Sequence, residues 1–310
     1  MANANNPGTV SSKERGVLLL VDGHAYGYRA FHAIRGLTSP TGRPTNAIFG
    51  FVRMLTKLRD SIKPTHVAVI WDGGLSAERL AALPGYKAQR PPMPPELKEQ
   101  LDEIEEYLDA AGIPSLKQPG VEADDYIACI ARCAAVAGLR VIIASSDKDF
   151  LQLVSPDIVV VNPNDQHQTP WTVERVKTQT GVFPNQIVDW LSLTGDTSDN
   201  IPGVPGVGPK TAADLLARFG SVAELFERLN EVSPERLRSA LGAAREVVER
   251  NRGLVKLKDD LECEFKLSRF EPRPPDTRRL RELFTRWGFK SLLAQLEPES
   301  CVEETQAALL

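Results

Sequence analysis

Val17–His24 reads VLLLVDGH, five apolar residues that stop on an aspartate and a glycine. His66–Gly74 (HVAVIWDGG) and Arg140–Asp149 (RVIIASSDKD) repeat the pattern, and Ile158–Val161 (IVVV) supplies a fourth apolar run. Between these runs, apolar residues at helical spacing cover residues 46–61, 96–111 and 123–137. Strand-like runs alternating with helices predict βαβ units, hence an α/β domain on a mostly parallel sheet flanked by helices.

From about residue 184 the strand signal fades. Helical candidates at 185–193, 209–219, 221–229, 234–251 and 277–287 predict a second, all-helical domain. A chain of 310 residues suits one large domain and one smaller one. Residues 84–95, PGYKAQRPPMPP, form a Pro-rich, basic interruption inside the first domain. Residues 1–16 and 297–310 read as tails, the first of them disordered.

With 42% hydrophobic and 25% charged residues, the composition is that of a soluble globular protein. No run approaches the roughly 20 apolar residues of a membrane span, and MANANNPGTVSSKERG lacks the apolar core of a signal peptide. The expected location is the cytoplasm. Cys129, Cys133, Cys263 and Cys301 form no C-x-x-C pair and no disulfide framework, so Cys129 and Cys133 read as buried small hydrophobes.

Asp22 and Asp72 end the first two strand runs, and Asp147 and Asp149 follow the third. In open parallel sheets, ligands bind beyond the carboxyl ends of the strands, so three strands deliver acids to one edge. Any one of these aspartates is explained as a turn or helix cap; the full set is not. Glu122-x-Asp124-Asp125 opens a predicted helix, and Asp196-x-x-Asp199 precedes a Gly-rich segment. Nine converging carboxylates are untenable unless cations neutralise them. Oxygen ligands without His or Cys suit Mg²⁺ or Mn²⁺, and two such ions are suited to phosphodiester hydrolysis. The net charge of −4 is compatible with a nucleic-acid partner on this reading. Setting nine carboxylates aside from the 41 acids leaves 32 against 37 bases, an excess of five positive charges.

Residues 201–212 read IPGVPGVGPKTA. Gly206 and Gly208 precede a helix with Pro209 in its first turn, and the exposed N–H groups there can receive a phosphate, with Lys210 close by. A nucleotide-binding P-loop is rejected, because Pro209 intrudes between Gly208 and Lys210 and no apolar strand leads in.

VDGHAYGYRAFHA, GYKAQRPPMPPEL, EADDYIA, SSDKDFLQLV and TGDTSDNIPGVPGVGPKTA occur here in the order found in the 5′–3′ exonuclease domain of bacterial DNA polymerase I, within the flap endonuclease superfamily. The resemblance spans residues 17 to about 296. It implies a PIN-like nuclease domain over 17–184, with a mobile arch at 84–95, and a helix–three-turn–helix DNA-binding domain over 185–296. It further implies one metal site on Asp22, Asp72, Glu122, Asp124 and Asp125, and a second on Asp147, Asp149, Asp196 and Asp199. In the arch, Lys87 and Arg90 match positions that contact the scissile phosphate, and Tyr86 matches one that stacks on a terminal base. Arg29 matches another basic position near the metals. Gly203, Gly206, Gly208, Lys210 and Thr211 match the duplex-binding hairpin, whose carbonyls can also hold K⁺.

The implied activity is a monomeric, structure-specific 5′ nuclease acting on flaps, nicks, branched duplexes and 5′ ends in DNA repair and replication. A non-catalytic branched-DNA binder is opposed by the complete set of acids, and a PIN-type ribonuclease by the Gly-rich hairpin. Two departures stand out: Gly73-Gly74 replaces the family's usual Ala-Lys, and Glu78-Arg79 its usual Phe-Arg. Both lie at the base of the arch.

Overall fold

Leu18 and Leu20 pack on one side of the first strand and Leu19 and Val21 on the other, all four fully buried. That alternation needs a layer on each face of the sheet, and the chain supplies both. The computed structural model describes residues 15–165, 167–261 and 264–296. The tails expected over 1–16 and 297–310 lie outside these residues, apart from Arg15 and Gly16.

The order is β1 (Val17–Asp22), α1 (Gly23–Ala33), α2 (Asn46–Ile62), β2 (His66–Trp71), α3 (Ala77–Ala82), α4 (Pro95–Ala110), β3 (Ser115–Lys117), α5 (Ala123–Val136), β4 (Arg140–Ala144) and β5 (Ile158–Val161). Next come α6 (Val173–Thr180), α7 (Ile187–Thr194), β6 (Gly195–Asp196), β7 (Ile201–Pro202), α8 (Pro209–Phe219) and α9 (Val222–Glu227). The chain continues through α10 (Glu235–Ala243), α11 (Arg245–Val255), α12 (Thr277–Trp287) and α13 (Lys290–Leu296). The five main strands lie parallel in the order β3-β2-β1-β4-β5. The chain therefore reverses direction across the sheet between β1 and β4, and a ligand crevice is expected at their carboxyl ends.

Several expectations are corrected. The region from residue 184 contains a short antiparallel pair, β6 with β7, among its helices. The helix expected over 234–251 is two, α10 and α11. β3 has only three residues and was not foreseen. Cys129 is disulfide-bonded rather than unbridged, and Cys133 is free.

The layers cross the expected domain boundary. α5, α7, α8 and α11 share one apolar core with one sheet face, while α1, α2, α4 and α12 cover the other. α12 thus returns to the first half of the chain. Backbone bonds from Arg273 N to Gly112 O (2.8 Å) and from Asp276 N to Ala110 O (2.8 Å) guide it there. Gly112 must be glycine, since a Cβ would stand 2.2 Å from the Arg273 carbonyl oxygen. Arg279 and Arg273 then bind Asp109, at 2.6 and 2.9 Å. Trp287, 1% exposed, fills the space beneath. Trp287→Ala is expected to lower the unfolding free energy by about 3–5 kcal/mol, as for other buried aromatic truncations. A urea titration decides this, and a loss of only about 0.5 kcal/mol, as for a surface site, would show that α12 is peripheral.

Candidate active site

Asp22 closes β1 and caps α1, accepting the Ala25 N–H at 3.0 Å, while Ser145 at the end of β4 donates to its other oxygen at 2.8 Å. Asp72 follows β2 and accepts the Ala123 N–H at 2.8 Å, tying its strand to the start of α5. Asp147 caps the 3₁₀ turn Lys148–Leu153 through a 2.9 Å bond from the Asp149 N–H. The cap reading and the cleft reading of these aspartates therefore hold together. Asp22, Asp72, Asp124, Asp147 and Asp196 line one cleft of about 830 Å³, with Lys87 and Arg90 also in its wall.

The electrostatics follow from this crowding. Burial, with Asp147 and Asp72 nearby, raises the Asp22 carboxyl to about 6. Burial and the charges of Asp147 and Asp22 hold Asp124 well above the ordinary carboxylate range. Asp147 is raised chiefly by burial, and by Asp199 and Asp196. Asp149 is not in the cleft wall; its Oδ1 is buried without a hydrogen-bond partner, and burial beside Asp147 and Asp196 raises it strongly. Asp196 and Glu122 go the other way. Burial pushes both up, yet the Ser198 bonds and Lys148 hold Asp196 down, and Lys87 holds Glu122 down.

Basic side chains occupy the remaining acids. Lys87 Nζ bonds Glu122, Arg90 reaches Asp199 at 2.5 Å, and Lys148 lies 3.3 Å from Asp196. Among the described residues no three acidic, His or Cys side chains stand together as ready metal ligands. The donor chemistry nevertheless fits a hard divalent cation: the candidates are all oxygen donors, several are raised by burial and by one another's charge, and one oxygen is orphaned.

Three of the expected site residues stand outside the cleft wall. Asp125 is not a cleft residue; Arg79, 4% exposed, grips both its oxygens at 2.7 and 2.8 Å, and the Lys258 N–H binds it at 2.9 Å. Tyr86 is 4% exposed and donates its hydroxyl to Glu122 at 3.1 Å. Arg29 is exposed and outside the cleft wall. One residue is a 100° step around a helix, and it is the preceding Tyr28 that lines the cleft.

His24 was missed. It shares that helix face with Tyr28, and its Nδ1 accepts the Asp72 N–H at 3.3 Å. Burial lowers its pKa, against the charge of Asp72. The i, i+4 spacing of His24 and Tyr28 on the helix that follows Asp22 was the available signal. Glycines 206 and 208 and Lys210 lie exposed at the start of α8, on the second part of the chain, and Thr211 is half-buried beside them. Gly203 is required by packing, as a Cβ would stand 2.2 Å from the Thr194 carbonyl oxygen.

Acids gathered at the carboxyl edge of a parallel sheet, faced by lysine and arginine, define an α/β enzyme that handles phosphoryl groups. The chain belongs to the 5′-3′ exonuclease family. The N-terminal resolvase-like domain of that family matches residues 17–181, and its C-terminal SAM fold matches residues 182–278. It is a nuclease. A 5′-3′ exonuclease of Aquifex aeolicus is 41% identical over 90% of this chain and 95% of that protein. DNA polymerase I of Bacillus caldotenax is 38% identical over 94% of this chain but only 33% of its own length. Among solved structures, T5 5′-exonuclease with divalent metal ions (zinc) bound superposes with a TM-score of 0.65, at 26% identity. That match covers 78% of this chain and 90% of the other.

The raised carboxyls make the site a stability liability in metal-free solution. The Asp22 carboxyl ionises at about 6 when folded, above its ordinary 3.8. Its contribution is therefore complete below about pH 4 and is lost as pH rises through 6. Asp22→Asn keeps the cap acceptor and removes the charge. In EDTA at pH 8 it is expected to be more stable than wild type by up to about 3 kcal/mol, the equivalent of two pKa units. Calorimetric melting at pH 4 and pH 8 checks this; a variant less stable at pH 8 would overturn it.

Proposed function

We propose that the chain is a structure-specific 5′ nuclease that cuts 5′ flaps and degrades 5′ ends of nicked or branched DNA, acting with Mg²⁺ or Mn²⁺. The observation that carries the reading is the cleft into which three adjacent strands deliver Asp22, Asp72 and Asp147, joined by Asp124 and Asp196, with Lys87 and Arg90 in the same wall. Asp22, Asp72 and Asp124, and across the cleft Asp147 and Asp196 with the unpartnered Asp149, would hold the cations. The divalent ions bound to T5 5′-exonuclease support this. Such a cation supplies Lewis-acid stabilisation of phosphoryl charge and acidifies water.

The residues of the chain do the rest. Lys87 and Arg90, released from Glu122 and Asp199, offer positive charge to a phosphate entering the cleft. The open N-terminus of α8, with Gly206, Gly208, Lys210 and Thr211, receives duplex phosphates through backbone N–H groups. The Gly203–Gly208 hairpin takes K⁺ through its carbonyls. The protein acts as a monomer in the cytoplasm; no helix among the described residues is long and apolar enough to cross a membrane.

Cleavage of a 5′ flap, a nicked duplex and single-stranded RNA, each with Mg²⁺, Mn²⁺ or EDTA, tests the reading. Metal-dependent cutting of the flap with little action on RNA is expected; the reverse preference would make the chain a PIN-type ribonuclease. Lys87→Ala should lower single-turnover kcat about a hundredfold with little change in flap affinity, comparable to losing an oxyanion donor. Equal rates at saturating enzyme would remove Lys87 from catalysis. Gly208 has extended backbone and open space around its missing Cβ. Gly208→Val should therefore fold normally and raise the flap KM far more than it lowers kcat, by screening the α8 N–H groups. An unchanged duplex affinity in a gel-shift titration would make the segment a plain connector.

A further inference from the structure

Only four described residues other than glycine have positive φ, and two of them, Lys87 (+56°) and Asn200 (+58°), lie at one junction. The Asn200 Nδ2 donates to the Gly85 carbonyl at 2.8 Å, and the Lys87 N–H donates to the Asp199 carbonyl at 3.0 Å. Gly85 permits the approach, since a Cβ there would stand 3.0 Å from that same Nδ2. Arg90 adds its 2.5 Å bond to Asp199. The segment between Gly85 and Arg90 is thus fastened to residues 199–200, and its backbone at Lys87 is strained.

A left-handed lysine persists only where its surroundings over-determine it. Asparagine is the side chain that tolerates this backbone best after glycine. Asn200 meets that need without charge, and its carboxamide bonds nothing in the acid cluster. We infer that Asn200 is a positioning residue: it latches the Gly85–Arg90 turn against the 195–202 hairpin and thereby fixes where the Lys87 ammonium stands above Glu122. This rests on the catalytic reading of Lys87 given above. Asn200 touches neither substrate nor acids on this account and acts only through Lys87.

Asn200→Gly keeps the left-handed backbone and removes the latch; Asn200→Asp keeps the size and sets a carboxylate against the Gly85 carbonyl. Both are expected to lower single-turnover flap cleavage about tenfold, the worth of one well-placed hydrogen bond, with flap Kd within about twofold of wild type. The latch has a readout independent of turnover. Lys87 is buried and Arg90 precedes a proline, so limited trypsin cutting after Lys87 reports opening of the turn. In metal-free protein without DNA, that cutting should rise about tenfold in both variants. A double-mutant cycle completes the test: in a Lys87→Ala background, Asn200→Gly should add less than about a twofold loss. A full additional loss there, or unchanged trypsin cutting, overturns the inference while leaving Lys87 catalytic. Wild-type turnover by Lys87→Ala overturns the reading of Lys87 instead, and with it any role of the latch in turnover.

Discussion

Mutual repulsion of carboxylates at one edge of the sheet is the constraint around which the rest of the molecule is arranged. Burial raises Asp22, Asp124 and Asp147, and neighbouring carboxylates add to it: Asp147 acts on Asp22 and Asp124, and Asp199 and Asp196 act on Asp147. Such a set is held together only because the framework beneath it is rigid and because positive charge is brought to it. The framework is a parallel sheet with a layer packed on each face. The positive charge comes from Lys87 and Arg90 on one turn and from Lys148 on another segment, each reaching a different acid. Arg79 does the same below the cleft, where it neutralises Asp125 and also bonds the carbonyls of Leu254 and Lys256. One guanidinium thereby joins the second half of the chain to the base of the site.

The acids also organise the backbone that carries them. Asp22 and Asp147 begin a helix and a 3₁₀ turn, and Asp72 accepts the N–H that opens α5. Each aspartate is held by its own cap, with rotamer freedom already lost before any ligand arrives. That preorganisation is what a site for hard cations and phosphate needs. The glycine that follows Asp72 belongs to the same logic. A Cβ on Gly73 would stand 1.7 Å from the Gln118 carbonyl oxygen, because its loop pairs directly with the segment leading to Glu122.

Four of the five main strands, the parallel sheet and the gathering of acids at its edge were legible in the sequence, because apolar runs, three of them leading into Asp, mark all three. Asp124 and Asp125 show where legibility stopped. Adjacent residues at a helix start look equivalent in a motif, but the helix turns the first toward the cleft and the second toward Arg79. The Arg79 contact lies across the fold and leaves no local trace. The placement of Tyr86 was hidden for a related reason: a basic, Pro-rich stretch reads as exposed, while the ring lies buried against Lys87 with its hydroxyl on Glu122. The resemblance to known nucleases named candidate residues; it could not say which of them face inward in this chain.

The path of α12 has a consequence for how the protein comes to be made. Its apolar face covers α4, so the layer over the first strands is completed by residues more than 160 positions later in the chain. During synthesis the sheet emerges first, with Leu97, Leu101 and Ile104 of α4 still lacking part of their cover. The nascent chain must wait for its final helices before either half is sealed, and contacts of such long sequence separation slow folding. A fragment ended at the boundary between the two family domains would carry a permanently uncovered apolar stripe, prone to self-association. Division into two domains by sequence is, for this chain, no guide to where it can be cut.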